Sequence, residues 1–155
     1  KVYGAQLGRE LSQQDVEPLT WGLAEMGRRV SAPDFIDTLS GVHAFGRQVS
    51  RFFGQYDLLL TPTQALPPPQ LGVIASTEEA PLRAFLLSAP YGPFTLPFNL
   101  TGQPAISLPG YVTKSGLPLG SQLVAAVGRE DRLLRVAADL EQALGWLERR
   151  PPLTA

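Results

Sequence analysis

The chain has 155 residues, long enough for one globular domain, and its 13 lysines and arginines nearly balance its 14 aspartates and glutamates. The net charge of −1 provides no basic surface for nucleic acid, and no apolar run reaches the roughly 18 residues of a membrane-spanning helix. With no cysteine and a single histidine, we expect no disulfide, no metal site and no cofactor, and we expect a cytoplasmic protein.

Two amphipathic helices are predicted in residues 1–56. The first has Asp15 as its N-cap, and its apolar stripe consists of Val16, Leu19, Leu23, Met26 and Val30. The second begins at the sequence Ser31-Ala32-Pro33-Asp34, which is typical of a capping box, and continues to about Tyr56.

Strands and proline-rich loops are predicted in residues 57–128. The apolar run from Asp57 to Thr61, stopped by Pro62, favours a strand buried on both faces. A short helix is predicted within residues 78–89, and three prolines argue against a regular long helix in residues 91–104. Residues 105–109 and 119–125 read as two strands of a hairpin that turns at Lys114-Ser115-Gly116.

A final helix and a tail are predicted in residues 129–155. Glu130 and Asp131 suit the positive end of the helix dipole. The helical stripe consists of Leu133, Val136, Ala137, Leu140, Leu144 and Leu147. Gly145, Arg149, Arg150 and Pro151 mark the end of this helix.

Charged residues are almost absent from the middle of the chain. Residues 58–128 contain only Glu78, Glu79, Arg83 and Lys114. Such a segment is too poor in charge to cover a solvated surface, so we expect much of it to be buried, either in a core or against something else.

Residue chemistry alone indicates no active site. His43 is the single histidine and the obvious candidate base, but its place on the second helix favours a partly buried histidine with a local hydrogen bond. No phosphate loop, dinucleotide fingerprint or nucleophile elbow is present. The carboxylate pairs lie beside predicted helix starts, where the helix dipole explains them.

Three blocks of sequence resemble the carboxy-terminal part of the amidase signature family. They occur in the family's order and spacing, and the likeness covers roughly residues 10–147. The blocks are YDLLLTPT (56–63) with PPPQLG (67–72), FTLPFNLTGQPAISLP (94–109), and GLPLGSQLV (116–124) followed by the last helix.

This resemblance implies an α/β fold with a mixed β-sheet flanked by helices, and hydrolysis of carboxylic amides. In the family a lysine deprotonates a bridging serine that is preceded by a cis peptide bond, and this serine activates the nucleophilic serine. Backbone N–H groups then stabilise the tetrahedral intermediate, and water hydrolyses the acyl-enzyme.

The chain lacks the family's catalytic segment. Its nine serines are scattered singly, and its lysines are Lys1 and Lys114. We therefore expect no catalytic residue here, and we interpret residues 1–155 as a single carboxy-terminal segment of an amidase domain, inactive by itself. Its start at Lys1, with Met26 as the lone methionine, agrees with an upstream segment that holds the machinery.

Candidate substrate-binding residues come from the matching blocks. The resemblance points to polar positions and to an aromatic wall: Thr61, Thr63, Asn99, Thr101 and Gln122, with Tyr91, Phe94 and Phe98. The expected partners are a small-molecule amide, the missing amino-terminal amidase segment and, as an open alternative, further copies in a homo-oligomer.

Two alternative functions stay open at this point. A subunit fragment of a glutamine amidotransferase would share the same carboxy-terminal blocks. A non-catalytic interaction module would use the uncharged middle of the chain to bind a partner.

Overall fold

The computed structural model describes residues 2–148, which form six α-helices and three β-strands. The elements in chain order are α1 (Val2–Leu7), α2 (Pro18–Arg28), α3 (Ala32–Phe52), β1 (Leu58–Pro62), α4 (Arg83–Ser88), α5 (Leu96–Thr101), β2 (Ala105–Val112), β3 (Pro118–Ala125) and α6 (Glu130–Leu144). Short 3-10 helices occur at Gln13–Asp15, Ala89–Tyr91 and Trp146–Glu148. The described residues divide into two compact units, one of residues 2–38 and 69–90 and the other of 39–68 and 91–148.

In the first unit, helix α2 begins two residues later than its sequence predicts. The carboxylate of Asp15 accepts a hydrogen bond from the backbone N–H of Ser12 at 2.7 Å and pairs with Arg9 at 2.6 Å. Glu17 is the N-cap of α2, and Pro18 occupies the first turn. The prediction that Asp15 caps this helix is wrong, because its carboxylate already closes the preceding 3-10 turn.

Helix α2 packs against α4 through a glycine. Gly22 is buried, and a Cβ atom placed there would lie 3.0 Å from Pro81 Cβ. The predicted short helix within residues 78–89 is confirmed, although only Arg83–Ser88 is α-helical.

Helix α3 starts where the capping box predicts. The Asp34 N–H donates to Ser31 Oγ at 3.2 Å, and the Ser31 hydroxyl donates to Asp34 Oδ2 at 2.6 Å. The helix ends at Phe52, earlier than predicted, and Tyr56 follows after a turn. None of its residues is buried, and Phe35 is 56% exposed.

The second unit contains an antiparallel sheet with strand order β1-β3-β2. The predicted hairpin is confirmed: Gly116, with φ of 85°, donates its N–H to Thr113 O at 2.9 Å in the turn. Strand β1 lies at an edge of this sheet, and Leu60 is 67% exposed. In the described residues, the prediction of a strand buried on both faces is therefore wrong for β1.

Helix α6 covers one face of the sheet. Leu123, Ala125 and Leu133 form the buried cluster, against which Leu58, Ile106, Leu108, Val136 and Leu140 pack. Gly145 ends α6 with φ of 60°, as its sequence predicts. The predicted end markers Arg149, Arg150 and Pro151 lie outside the described residues. The α/β fold with a sheet flanked by helices is thus confirmed, here as a small antiparallel sheet.

The uncharged middle of the chain is only partly buried by the described residues. Phe98 and Gln103 are buried. Several large apolar side chains of the same segment are exposed: Phe85, Leu86, Leu96, Leu100, Tyr111 and Val112. The part of the chain described here contains no helix of the length and apolarity needed to cross a membrane.

Candidate substrate-binding site

A row of polar side chains crosses the sheet at the middle of its strands. The register places Thr61 of β1 and Ser107 of β2 on either side of Gln122 in β3. Gln122 is only 4% exposed, and its Nε2 donates to Thr61 Oγ1 at 3.0 Å and to the Phe94 carbonyl at 2.9 Å. A buried amide with both N–H groups satisfied holds a fixed orientation. We call Thr61, Thr63, Ser107 and Gln122 the polar row.

The hydroxyl groups of Thr63 and Ser107 extend the polar row toward the end of β1. Thr63 Oγ1 and Ser107 Oγ are 2.8 Å apart, and the Thr63 N–H donates to Gly120 O at 3.0 Å. A Cβ atom at Gly120 would lie 2.7 Å from both hydroxyl oxygens. Glycine at this position therefore provides the space in which the two hydroxyl groups meet.

Strand alternation separates the polar row from the apolar core. Successive side chains of a strand point to opposite faces of the sheet, so the side chain of Gln122 and that of its neighbour Leu123 lie on different faces. Leu123 belongs to the cluster under α6. The polar row consequently occupies the face that α6 does not cover.

The predicted aromatic wall lies beside this face, in the segment that precedes and begins α5. Phe94 contributes its backbone carbonyl to Gln122, and its side chain is half-buried. The side chain of Phe98 is buried. The Tyr91 carbonyl accepts the Ala65 N–H at 3.2 Å, which ties this segment to the chain just after β1.

Two predicted pocket residues lie elsewhere in the second unit. Thr101 donates from Oγ1 to Pro97 O at 2.9 Å and lines a groove beside α3. Asn99 is exposed on α5. The structure thus brings together Thr61, Thr63 and Gln122, but it does not add Thr101 to their hydrogen-bonding group.

Ser107 of the polar row and Gly120, which makes space beside it, were not singled out from the sequence. Both residues lie within the sequence blocks that resemble the amidase family, in segments that were predicted to be strands. Finding them requires the pairing register, because only the register places Ser107 beside Gln122 and next to Thr63. His43, predicted to be partly buried, is exposed on α3.

The polar row carries no ionisable side chain. The pKa values that the structure shifts belong to surface groups elsewhere, such as Asp131, whose pKa Arg129 lowers to about 2. Neutral hydroxyl and amide groups suit the hydrogen-bonding needs of a neutral amide better than those of an ion. Among residues 2–148, no group of three or more potential metal ligands occurs.

The polar row contains one serine, Ser107, and no lysine. Lys114 lies exposed at the tip of the β2–β3 turn, beside Ser115. The Ser115 hydroxyl and Thr113 Oγ1 are 2.9 Å apart and stabilise that turn. The arrangement can bind and orient a polar ligand, but it supplies no buried serine and lysine pair.

Comparison with known proteins relates these features to amide hydrolases. The family model described as Amidase matches residues 8–134. The chain is 39% identical to 6-aminohexanoate-cyclic-dimer hydrolase of Paenarthrobacter ureafaciens, an alignment that covers 97% of this chain and 32% of the relative. It is 32% identical to lipoamidase of Enterococcus faecalis, covering 88% of this chain and 21% of that protein.

A solved structure matches the fold closely. The complex of 6-aminohexanoate cyclic dimer hydrolase with substrate superposes with a TM-score of 0.84 at 36% sequence identity, over 96% of this chain and 32% of that chain. The chain spans about a third of the length of the cyclic-dimer hydrolase and about a fifth of that of lipoamidase, and it corresponds to a carboxy-terminal segment of the amidase fold. On its sequence and its fold, the chain belongs to the amidase signature family.

Proposed function

We propose that this chain is the carboxy-terminal part of an enzyme that hydrolyses carboxylic amides, and that its polar row contributes to the substrate pocket. The observation that carries this proposal is the fixed amide of Gln122, which is held between Thr61 and the Phe94 carbonyl on the sheet face opposite to α6. Residues 1–155 then form one segment of a larger amidase domain.

The polar row has the chemistry to position a neutral amide. Hydroxyl groups at Thr63 and Ser107 can each donate or accept a hydrogen bond, and their 2.8 Å separation gives the ligand a defined hydrogen-bonding position. Tyr91 and Phe94 are both half-buried near this face and would contact the apolar part of the substrate. Binding that fixes the scissile bond lowers the entropic part of the activation barrier.

The chemical step is proposed to follow the serine, cis-serine and lysine mechanism of the family, with all three catalytic residues outside this chain. The serine oxygen attacks the amide carbon, the amine leaves with a proton, and water then releases the carboxylate from the acyl-enzyme. Consistent with this assignment, the single lysine of residues 2–148 lies at an exposed turn. The chain by itself is accordingly proposed to be inactive.

The proposed substrates are amides with an aliphatic acyl part. Support comes from the names of relatives, which are a hydrolase of 6-aminohexanoate cyclic dimer and a lipoamidase. A glutamine amidotransferase subunit and a non-catalytic module are not favoured, because the relatives quoted above at 32% and 39% identity are hydrolases.

An assay of two samples tests the proposal. The full-length protein that contains this chain should hydrolyse an amide bond of 6-aminohexanoate cyclic dimer, of lipoyl-lysine or of a simple aliphatic amide, whereas the 155-residue chain should not. In the full-length protein, Ser107→Ala and Thr63→Val should raise KM more than they lower kcat, while Ser115→Ala at the hairpin turn should leave both unchanged. Turnover by the 155-residue chain would overturn the proposal that this chain is inactive by itself. If neither polar-row substitution had an effect, the proposed role of the polar row in the substrate pocket would be overturned.

A further inference from the structure

A groove on the second unit runs between the carboxy-terminal half of α3 and the end of α5. Its volume is about 580 Å³. Val42 and Leu100 contribute apolar surface to it, and His43, Arg47 and Arg51 contribute nitrogen-bearing side chains. It shares no residue with the polar row.

The two arginine side chains of this groove, Arg47 and Arg51, are aligned, and neither forms an ion pair within residues 2–148. His43, Arg47 and Arg51 are spaced by four residues, so they follow one another along one side of α3. The ion pairs found among the described residues involve other arginines, namely Arg9, Arg28, Arg129 and Arg132. Because two guanidinium groups four residues apart repel each other, a bound anion would relieve an unfavourable interaction in the helix.

The floor of the groove is held in place by a buried amide. Gln103 is 5% exposed, donates from Nε2 to Ser50 Oγ at 3.4 Å and accepts a hydrogen bond from Thr101 Oγ1 at its Oε1. The Ser50 hydroxyl also donates to the Gly46 carbonyl at 2.9 Å. These hydrogen bonds connect α3 to the end of α5, so the groove is built before any ligand arrives.

Gly46 keeps the groove open. A Cβ atom at this position would lie 3.8 Å from Thr101 Cβ and Cγ2, an ordinary contact distance. Alanine therefore fits without displacing α5, whereas a larger side chain would extend into the groove.

We propose that this groove binds an aliphatic carboxylate. Guanidinium groups present paired N–H donors that match the two oxygens of a carboxylate, so Arg47 and Arg51 would hold the anionic end. Val42 and Leu100 would contact the hydrocarbon chain. This inference does not depend on the amide hydrolase activity, because it uses other residues and a different ligand chemistry.

Titration of the full-length protein that contains this chain with hexanoate tests the inference, with the backbone amide chemical shifts of residues 2–148 as the measurement. We expect saturable shifts confined to residues 42–51 and 100–103. Arg47→Gln and Arg51→Gln should each weaken binding at least tenfold, because each removes a charge-assisted hydrogen bond. Arg47→Lys keeps the charge but loses the paired donors, and it should weaken binding less than Arg47→Gln.

Matched variants separate the groove from general charge effects. Arg135→Gln removes an exposed cation from α6 and should leave the hexanoate affinity unchanged. Gly46→Leu should abolish binding, whereas Gly46→Ala should retain it. The thermal midpoint of each variant checks that it is folded.

Two further probes decide the chemistry of the ligand. Hexanol should not produce saturable shifts, since it lacks the anion, and inorganic phosphate should bind more weakly than hexanoate, since it lacks the chain. Equal binding of hexanol or of phosphate would overturn the assignment. It would equally be overturned by the absence of saturable hexanoate shifts, or by an Arg47→Gln affinity equal to that of the unchanged protein.

Discussion

Gln122 and Thr61 join the central strand of the sheet to its edge through a side-chain hydrogen bond, from Nε2 to Oγ1, of 3.0 Å. The two residues are also direct neighbours in the register of β1 and β3. This hydrogen bond fixes a polar side chain that is itself buried, so it has consequences for stability as well as for binding.

Replacement of Gln122 by alanine should destabilise the fold. The change removes two hydrogen bonds from a side chain that is 4% exposed and leaves the Phe94 carbonyl without its partner. The expected loss is about 1–3 kcal/mol in the free energy of unfolding, measured by urea denaturation. Gln142→Ala, at an exposed position of α6, is the control and should change this free energy by less than about 0.5 kcal/mol. Equal effects of the two substitutions would contradict the importance of the buried amide.

Gly120→Ala should disrupt the meeting of Thr63 with Ser107. The added methyl group would lie 2.7 Å from both hydroxyl oxygens and 3.2 Å from Thr63 Cβ, so the edge of the sheet must shift. We expect a loss of about 1–3 kcal/mol in the free energy of unfolding, as for other overpacking substitutions. A crystal structure or amide chemical shifts of the variant should report displacement of β1.

Gly41 provides a control at which alanine should raise the free energy of unfolding instead of lowering it. Gly41 lies within α3, and a Cβ atom there would meet no atom within 4 Å. Gly41→Ala should therefore stabilise the protein by roughly 0.5–1 kcal/mol, because it lowers the backbone entropy of the unfolded chain. Stabilisation by Gly120→Ala as well would show that the site has more room than the structure indicates.

Leu133 and Leu134 are adjacent in α6 but contribute differently to the core. Leu133 is 3% exposed and packs with Leu123, whereas Leu134 is 64% exposed. Leu133→Ala should cost about 2–5 kcal/mol in the free energy of unfolding, and Leu134→Ala less than about 0.5 kcal/mol. Thermal denaturation of both variants under identical conditions measures the difference. Similar costs at the two positions would indicate that another surface covers Leu134 in solution.

Local determinants explain which parts of the fold could be predicted from the sequence. Residues that are close together in the sequence determine three of these features. They are the helix cap at Ser31, the hairpin turn at Gly116 and the end of α6 at Gly145. The hydrogen-bonding role of Asp15 could not be predicted in the same way. Its competing partner Arg9 is six residues away, and the sequence does not reveal that a salt bridge will replace the helix cap.

Long-range pairing explains what was missed in the candidate site. The resemblance to amidases pointed to Thr61, Thr63 and Gln122, which the fold then brings together across two strands. Ser107 is equally part of the polar row, but its role depends on the register between β2 and β3. The edge position of β1 likewise depends on strand order, which an apolar run of residues cannot specify.

The carboxyl group of Asp15 should make the stability of the protein depend on acid pH. Hydrogen bonds from Arg9 and Ser12 hold the pKa of Asp15 well below its usual value of about 3.9. The folded state therefore binds fewer protons than the unfolded state at this group, so its contribution is fully present above about pH 4 and is lost as the pH falls. Asp15→Asn should lower the free energy of unfolding at pH 7 and flatten its decline between about pH 5 and pH 2.

Urea denaturation at a series of pH values measures this dependence for both proteins, and the carboxyl carbon shift of Asp15 reports its pKa directly. Arg9→Gln removes the principal hydrogen-bond donor and should move that pKa back toward about 3.9. Since the same carboxylate also accepts the Ser12 N–H, the shift in Arg9→Gln should be incomplete. An Asp15 that titrates near its usual value in the unchanged protein would contradict the pairing with Arg9.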